Sequence, residues 1–301
     1  MVLDRPRLVA ILNLTPDSFY DGGRLGTVEE AVRAAERAVA DGADVLDLGG
    51  ESTRPGAQRV GPEEQVRRIV PVIGAIRARG GAAGDIPISV DTTLAPVARA
   101  ALDAGADAIN DVSAGAEDAG MFGLAAQRSA GLILMHRLRP PERDSYSDRY
   151  AEPPRYGDVA AEVSAFLRER CAAAGARGVA PGSIVIDPGL GFGKTVEQNL
   201  ELIRRTGELA ALGYPVLSGL SRKSFTGRAA GLAESTPAER LGATLALSVA
   251  HLIAGARLFR VHDVAEHRRA VSAAGGGGGG APAGPDRPPP ASGPARGREQ
   301  P

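Results

Sequence analysis

The chain has 301 residues, a length that suits either two domains of average size or a single α/β barrel. Its 35 Lys and Arg residues nearly cancel its 36 Asp and Glu residues, and the net charge of −1 supplies no general attraction for nucleic acid or an anionic membrane. The single cysteine, Cys171, excludes an internal disulfide, and no apolar run is long enough to span a membrane. We therefore expect a soluble, cytoplasmic protein that has neither nucleic acid nor membrane as a partner.

The first half of the chain alternates short apolar runs with amphipathic helical segments. The apolar runs cover residues 8–14, 45–48, 86–90 and 108–112, and the helical segments cover residues 27–40, 62–79 and 96–104. The linkers 41–44 and 104–107 each contain a glycine, which can end a helix in a left-handed conformation and turn the chain into the next strand. This order of elements predicts parallel strands that are joined by helical crossovers.

The second half continues this pattern. Further apolar runs cover residues 132–135, 184–186, 215–220 and 258–261, and helical segments cover residues 158–174 and 237–254, with another glycine in the linker 254–256. Eight strands, each followed by a helical stretch, predict a (β/α)8 TIM barrel rather than an open doubly wound sheet. Cys171 falls within a helical segment, where core packing explains it better than catalysis.

The composition changes sharply near the C-terminus. Of the 27 residues from 275 to 301, 16 are Gly or Pro and none is Val, Ile, Leu, Met or aromatic. Such a segment has no apolar surface whose burial could offset the entropy of ordering it. We therefore predict a barrel over residues 1–274 and a disordered, Gly/Pro-rich tail over residues 275–301.

Polar side chains that can take part in chemistry follow each of the eight predicted strands. Active sites of α/β barrels lie at the carboxyl ends of the strands, where the loops converge. Turns and helix caps explain any one of these residues, but they do not explain cations and anions at all eight strands. In chain order the residues are Asn13 and Asp17; Asp47, Glu51, Thr53 and Arg54; Asp91; Asn110 and Asp111; His136; Asp187; Ser221, Arg222 and Lys223; and Arg260 and His262.

The same strand ends carry short sequence motifs. The chain reads ILNLTPDSF at 11–19, DLGGESTRPG at 47–56, SVDT at 89–92, INDV at 109–112 and LMH at 134–136. It continues with DPGLGFGK at 187–194, GLSRK at 219–223 and RVHD at 260–263. Together these motifs resemble those of the dihydropteroate synthases, in order, from about residue 8 to residue 270. The resemblance implies a barrel that joins 6-hydroxymethyl-7,8-dihydropterin diphosphate to 4-aminobenzoate, which sulfonamides mimic, and releases pyrophosphate in folate synthesis.

The resemblance also implies roles for individual residues. Asn13 would bind Mg²⁺ together with the substrate diphosphate, and Asp91, Lys223 and Arg54 would be catalytic. Family members form homodimers, here expected through the C-terminal helices. The pterin diphosphate site would comprise Thr53, Asp91, Asn110, Met135, Asp187, Lys223, Arg260 and His262. The 4-aminobenzoate site would comprise Phe19, Thr53, Arg54, Pro55, Phe192, Ser221, Lys223 and Ser224.

Two other functions fit part of this pattern. A pterin-dependent methyltransferase shares the pterin-binding barrel, but it expels no diphosphate and would not need Asn13, Arg54, Lys223, Arg260 and His262 together. A catalytically silent, pterin-binding paralogue would have lost some of these polar groups, and none is missing here.

One segment departs from the family pattern. After His136 the family often continues with a run similar to Met-Gln-Gly, whereas this chain has a loop to about residue 156 that contains five arginines. The loop is either a solvated surface segment or an additional attraction for an anionic substrate.

Overall fold

Eight parallel strands and their connecting helices make up the computed structural model, which describes residues 4–15 and 28–274. Asp17, Phe19 and the predicted tail at 275–301 lie outside the described residues. The strands are β1 (Arg7–Asn13), β2 (Val45–Gly49), β3 (Ile88–Asp91), β4 (Ala108–Asp111), β5 (Gly131–Met135), β6 (Ile184–Asp187), β7 (Leu217–Ser218) and β8 (Leu258–Val261). The predicted barrel is confirmed.

Helices follow the strands. They are α1 (Val28–Ala40), α2 (Pro62–Arg79), α3 (Gly81–Asp85), α4 (Ala95–Asp103), α5 (Met121–Arg128), α6 (Val159–Ala176), α7 (Val196–Arg204), α8 (Thr206–Ala210), α9 (Ser224–Ala229), α10 (Leu241–Ala254) and α11 (Val264–Ala274). Across 4–15 and 28–274, none of them combines the length and apolar character that a membrane crossing requires. Cys171 is buried in α6, as core packing requires.

The sheet closes at its shortest strand. Hydrogen-bonded neighbours follow the order β6-β5-β4-β3-β2-β1-β8-β7, and a parallel bridge between Ile186 and Val216 joins the two ends. The predicted strand at 215–220 is too long, because only Leu217–Ser218 forms a regular strand. The chain then turns away from the sheet, with the N–H of Lys223 donating to the carbonyl of Leu220 and Arg222 in a left-handed conformation.

Two other predicted boundaries shift for local reasons. The helix predicted over 237–254 begins at Leu241, because Thr236 and Glu239 cap a separate turn by exchanging hydrogen bonds. The strand predicted from residue 86 begins at Ile88, since Ile86 still caps α3. The glycines of the three linkers adopt the predicted left-handed conformation, with φ of 98° at Gly42, 111° at Gly105 and 123° at Gly255.

Side chains alternate between two cores along each strand. Leu8, Ala10 and Leu12 pack outward among the helices, whereas Val9 packs inside the barrel. The inner core is formed by Val9, Val45, Ile133, Leu217 and Leu258, with Val185 beside it. Because strand side chains alternate with a period of two, the residues two and four positions beyond this inner layer also point inward, at the carboxyl end of the barrel.

Candidate active site at the carboxyl end of the barrel

Strand periodicity brings most of the predicted site residues together. The inward positions at the ends of the strands are held by Asn13, Asp47, Asp91, Asn110, Met135, Asp187 and Arg260. Asn13, Gly49, Asp91 and Asn110 lie on one level of the sheet, because each pairs with the next across neighbouring strands. Gly49 carries no side chain, and a Cβ atom built there would lie 3.5 Å from the Cβ of Asp91 and 3.8 Å from Oδ1 of Asn13. Asn13 and Asp91 therefore face a shared gap.

Arg260 is held by two carboxylates. Its Nε donates to Oδ2 of Asp47 at 2.6 Å, and its Nη2 donates to Oδ2 of Asp91 at 2.7 Å. Burial raises the pKa of Asp91 to about 7, Arg260 opposes that rise, and Asp47 adds to it. Burial disfavours the charge of Arg260, but Asp47 and Asp91 outweigh it and leave the pKa of Arg260 above its ordinary value. The guanidinium is thus a fixed cation among carboxylates.

Asp47 was found at a strand end by sequence reasoning but received no role. It is fully buried and also accepts hydrogen bonds from the Asn110 amide, at 3.1 Å, and from the Ser89 hydroxyl. Asp47 therefore orients both Arg260 and Asn110. The sequence does indicate this position of Asp47, because the residue stands two positions before Gly49 and therefore shares the inward face of β2.

Lys223 and Asp187 lie on the opposite side of the barrel mouth. Nζ of Lys223 donates to the Leu190 carbonyl and lies 4.1 Å from the ring centroid of Phe192. Burial lowers the pKa of Lys223 to about 8, with Asp187 opposing and Arg260 adding to the decrease. Burial also raises the pKa of Asp187, against the charge of Lys223. Burial therefore favours the neutral form of both side chains relative to water.

A second lysine, which ends the DPGLGFGK motif but was assigned no role, supports this side of the site. Lys194 is fully buried, and its Nζ donates to the carbonyls of Gly189 (3.0 Å) and Phe192 (2.8 Å) and contacts Nδ1 of His136 at 3.0 Å. Burial lowers the pKa of Lys194 to about 7. Burial, reinforced by Lys194, lowers the pKa of His136 to about 2, so His136 stays neutral and accepts the hydrogen bond. The pair holds the backbone that carries Phe192.

His262 lies near three arginines. Its Nδ1 is 3.1 Å from the Ser221 hydroxyl, which also accepts a hydrogen bond from the His262 N–H. Burial, followed by the charges of Arg260, Arg222 and Arg54, lowers the pKa of His262 to about 3. Arg54 is exposed, and it takes part in no ion pair within residues 4–15 and 28–274. This corner of the site can therefore receive an anion.

The remaining predicted residues line the mouth of the barrel. Met135, Phe192 and Val112 form a small buried apolar cluster at the inner end of the site. Val112 stands in the INDV motif, directly after Asn110 and Asp111, but was given no role from the sequence. Ser224 is the first residue of α9. Thr53 and Pro55 lie on the β2–α2 loop, and Phe19 cannot be placed because it is outside the described residues.

Taken together, these groups suit a flat, polar heterocycle that carries an anionic group. Asp91, Asn110 and Asp187 can exchange hydrogen bonds with ring N–H and amino groups, and Met135 and Phe192 can contact the ring faces. Arg260 and His262 can bind the anionic group of such a molecule.

Comparisons with known proteins match the chain closely. The model of the family described as "Pterin binding enzyme" matches residues 9–262. A dihydropteroate synthase of Streptococcus pyogenes serotype M3 is 45% identical over 265 residues, which cover 88% of this chain and 93% of the relative. One from Synechocystis is 43% identical over 261 residues, or 86% of each chain. The structure of Xanthomonas albilineans dihydropteroate synthase with 4-aminobenzoic acid superposes with a TM-score of 0.81 at 43% identity, covering 91% of this chain and 93% of that one.

Proposed function

The chain belongs to the pterin-binding enzymes and, among them, to the dihydropteroate synthases, and from this membership we propose that it joins 6-hydroxymethyl-7,8-dihydropterin diphosphate to 4-aminobenzoate. The products are 7,8-dihydropteroate and pyrophosphate. The observation that carries the proposal is the gathering of Asp91, Asn110, Asp187, Lys223 and Arg260 inside one barrel mouth. Such a set can bind a pterin and offset charge that develops on it.

The reaction breaks one bond and forms another. The carbon–oxygen bond at the pterin methylene breaks, and its electron pair leaves with pyrophosphate. The amine nitrogen of 4-aminobenzoate then bonds to that carbon and releases a proton to solvent. The pterin carries positive charge in between, and the Asp91 carboxylate opposes it, while Asn110 and Asp187 hold the pterin edge. No enzyme nucleophile is needed.

The leaving diphosphate is assigned to three cationic or neutral donors. Nη1 of Arg260 makes no hydrogen bond to any described residue, although Nε and Nη2 are both occupied, so one edge of the guanidinium remains for phosphate oxygens. His262 lies beside it, and Arg54 is close enough to lower the pKa of His262. These groups would stabilise the negative charge that accumulates on pyrophosphate.

For magnesium, the donors fit an ion held mainly by the substrate. In the part of the chain that the structure describes, no group of three or more His, Cys, Asp or Glu side chains is arranged around a possible metal. The amide oxygen of Asn13 faces the gap beside Asp91, and Mg²⁺ accepts single oxygen ligands while it keeps waters and phosphate oxygens. Asn13 would hold Mg²⁺ together with the diphosphate, and the bound ion would supply positive charge beside the leaving group.

The 4-aminobenzoate pocket is assigned to the rim of the barrel. Nζ of Lys223 lies over the Phe192 ring, 4.1 Å from its centroid, and the two side chains would form one wall. Thr53, Arg54 and Pro55 would form the opposite wall from the β2–α2 loop, with Ser221 and Ser224 between the two. Phe19 completes this assignment as a prediction from the sequence.

A homodimer is proposed through α10. This helix has no Asp, Glu, Lys or Arg, and it directs its polar residues Thr244, Ser248 and His251 into the protein. Its outer face is apolar, and Ile253 is 77% exposed. A second copy of the same face would cover it. Sedimentation should show a dimer for the protein and a monomer for Ile253→Glu.

One assay tests the activity. Purified protein is mixed with the pterin diphosphate, 4-aminobenzoate and Mg²⁺, and 7,8-dihydropteroate and pyrophosphate are measured together. Equal amounts of both products are expected. A silent paralogue or a methyltransferase would bind the pterin without releasing pyrophosphate, and that result would overturn the proposal.

A further inference from the structure

The 137–156 segment, which joins β5 to α6, is built into the barrel mouth. Pro141, Asp144, Ser147 and Pro154 are buried, and the Arg137 side chain is only 8% exposed. The segment is therefore anchored to the protein at these positions, although its other four arginines are exposed. Its buried polar groups contact three separate parts of the site.

The first contact is with the 52–61 segment, which carries Thr53, Arg54 and Pro55. The Gly56 N–H donates to the Pro141 carbonyl at 2.9 Å. Glu117 then links the two segments, since it pairs with Arg59 at 2.8 Å and with Arg137. Burial raises the pKa of Glu117, but the hydrogen bonds from Arg59 and Thr93 and the charge of Arg137 lower it below its ordinary value. Glu117 is thus ionised and holds both arginines.

The second contact is with the 189–193 segment, which carries Phe192. Oδ2 of Asp144 accepts from the Gly193 N–H at 2.8 Å, and the Tyr156 hydroxyl donates to the Gly193 carbonyl at 2.9 Å. A Cβ atom on Gly193 would overlap Leu138, so the two backbones approach closely. The position of Phe192 therefore depends on the 137–156 segment.

The third contact is with α9, whose first residue is Ser224. Nε of Arg228 donates to Oδ2 of Asp148 at 2.9 Å. Burial raises the pKa of Asp148, but hydrogen bonds from Arg228 and Ser224 outweigh it and leave that pKa below its ordinary value. One segment thus touches the elements that carry Thr53, Phe192 and Ser224.

We propose that the 137–156 segment is a positioning element that fixes the spacing of the 4-aminobenzoate pocket, acting through Arg137, Asp144 and Asp148. The inference rests on the proposed function for the identity of the pocket. Asp91, Asn110 and Asp187 are contributed by β3, β4 and β6, and in the described residues their side chains form no hydrogen bond or ion pair with Arg137 or Asp148. Of the groups assigned to the pterin diphosphate, only Thr53 and Arg54 lie on a segment that Arg137 holds. The 137–156 segment therefore affects the affinity for 4-aminobenzoate more strongly than that for the pterin diphosphate.

The test compares Arg137→Met with Arg139→Met. Both changes replace an arginine of the segment by a side chain of similar length, but Arg139 is exposed and donates no hydrogen bond to a described residue. Arg137→Met should raise the KM for 4-aminobenzoate about tenfold, because a displacement of 1 Å can cost as much as ~10²-fold. The KM for the pterin diphosphate should rise much less, because most of its groups lie on strands that Arg137 does not hold. Arg137→Lys should recover part of the effect, and Asp148→Asn should act like Arg137→Met.

A parallel rise of both KM values, or equal behaviour of the 137 and 139 variants, would overturn the inference. Hydrogen exchange supplies a readout that does not depend on activity. Amides of residues 52–61 should exchange faster in Arg137→Met than in Arg139→Met. If the wild-type protein forms no dihydropteroate, the proposed function fails, and unchanged exchange at 52–61 would then be the result that also removes the positioning role.

Discussion

The two ends of the barrel use aspartate in opposite ways. At the amino end, Asp44 accepts the Leu8 N–H at 2.9 Å and pairs with Arg268 at 2.6 Å, while Arg268 also donates to the Gly42 carbonyl. Asp107 repeats this arrangement with the Ile88 N–H at 2.8 Å and Arg77 at 2.6 Å. Each of these two carboxylates has a backbone donor and at least one arginine, and Asp44 also pairs with Arg5 and Arg7.

At the carboxyl end, several carboxylates share few cations. Asp47 and Asp91 both pair with Arg260, whereas Asp187 feels the charge of Lys223 but forms no ion pair within the described residues. Burial raises the pKa of Asp91 and of Asp187. At Asp44, burial also favours the neutral form, but hydrogen bonds from Arg5, the Leu8 N–H and Arg268 outweigh it and lower the pKa. The carboxylates at the amino end stabilise the fold. Those at the carboxyl end are buried with fewer partners, which is typical of groups that bind a substrate.

The largest effect is expected for Asp91→Asn. The change keeps the shape of the side chain but removes the charge that opposes the pterin cation, and loss of one such group typically costs about 10²–10³-fold in turnover. Steady-state kinetics on the folded variant measures it. Turnover within threefold of wild type would exclude Asp91 as the cation stabiliser.

Asp111→Asn is the matched control at the next strand end. Asp111 accepts the Ser113 N–H at 2.8 Å, the Ser113 hydroxyl at 2.7 Å and the Gly115 N–H at 2.7 Å. These bonds stabilise the turn that follows β4. Turnover should therefore fall much less than in Asp91→Asn.

The converse change at the amino end is Asp44→Ala. It removes the acceptor of the Leu8 N–H and the partner of Arg268, and a buried donor left without a partner costs about 1–3 kcal/mol. Urea unfolding should show that loss, with kcat and both KM values unchanged. Asp41→Ala, in the same linker but exposed, should leave the free energy of unfolding within about 0.5 kcal/mol. A loss of turnover in Asp44→Ala would show that the two ends are coupled.

The pH dependence of stability should differ in sign between the ends. The pKa of Asp44 is lower in the folded protein than its ordinary 3.8, so its stabilisation is present above that pH and disappears as the pH falls through the folded value. The pKa of Asp187 is raised above 3.8, so its contribution decreases as the pH rises from 3.8 through the folded value. Both contributions can be isolated by substitution.

Urea unfolding of Asp44→Asn and Asp187→Asn between about pH 2 and pH 8 makes the comparison, because the Asp44 contribution changes below its ordinary pKa and the Asp187 contribution changes above it. The deficit of Asp44→Asn relative to wild type should shrink toward low pH. Asp187→Asn should gain stability relative to wild type as the pH rises. Parallel curves for the two variants would contradict the opposite electrostatics of the two ends.

The sequence was sufficient where structure depends on local pattern. The apolar runs predicted the eight strands and placed Asn13 and Asp91 at strand ends, and the glycine linkers predicted the chain reversals. It was insufficient where a residue depends on distant partners. The burial of Lys194 requires His136 and two carbonyls, and Arg137 is ordered by Glu117 from another loop. No local pattern contains those contacts.

The smallest effect is expected for truncation after Ala274. Residues 275–301 contain no aliphatic side chain larger than alanine or proline and no aromatic one, so they have nothing to bury. They follow α11, whose Arg268 donates hydrogen bonds to Gly42 and Asp44 at the amino end of the barrel. The truncation therefore follows the helix that supports this end. The free energy of unfolding should change by less than about 0.5 kcal/mol, and turnover should not change. Calorimetry and the dihydropteroate assay measure both quantities on the truncated and full-length chains. A melting temperature lower by several degrees with unaltered turnover would mean that the tail adds to the Asp44–Arg268 end, whereas lost turnover with unaltered melting would assign it to the site.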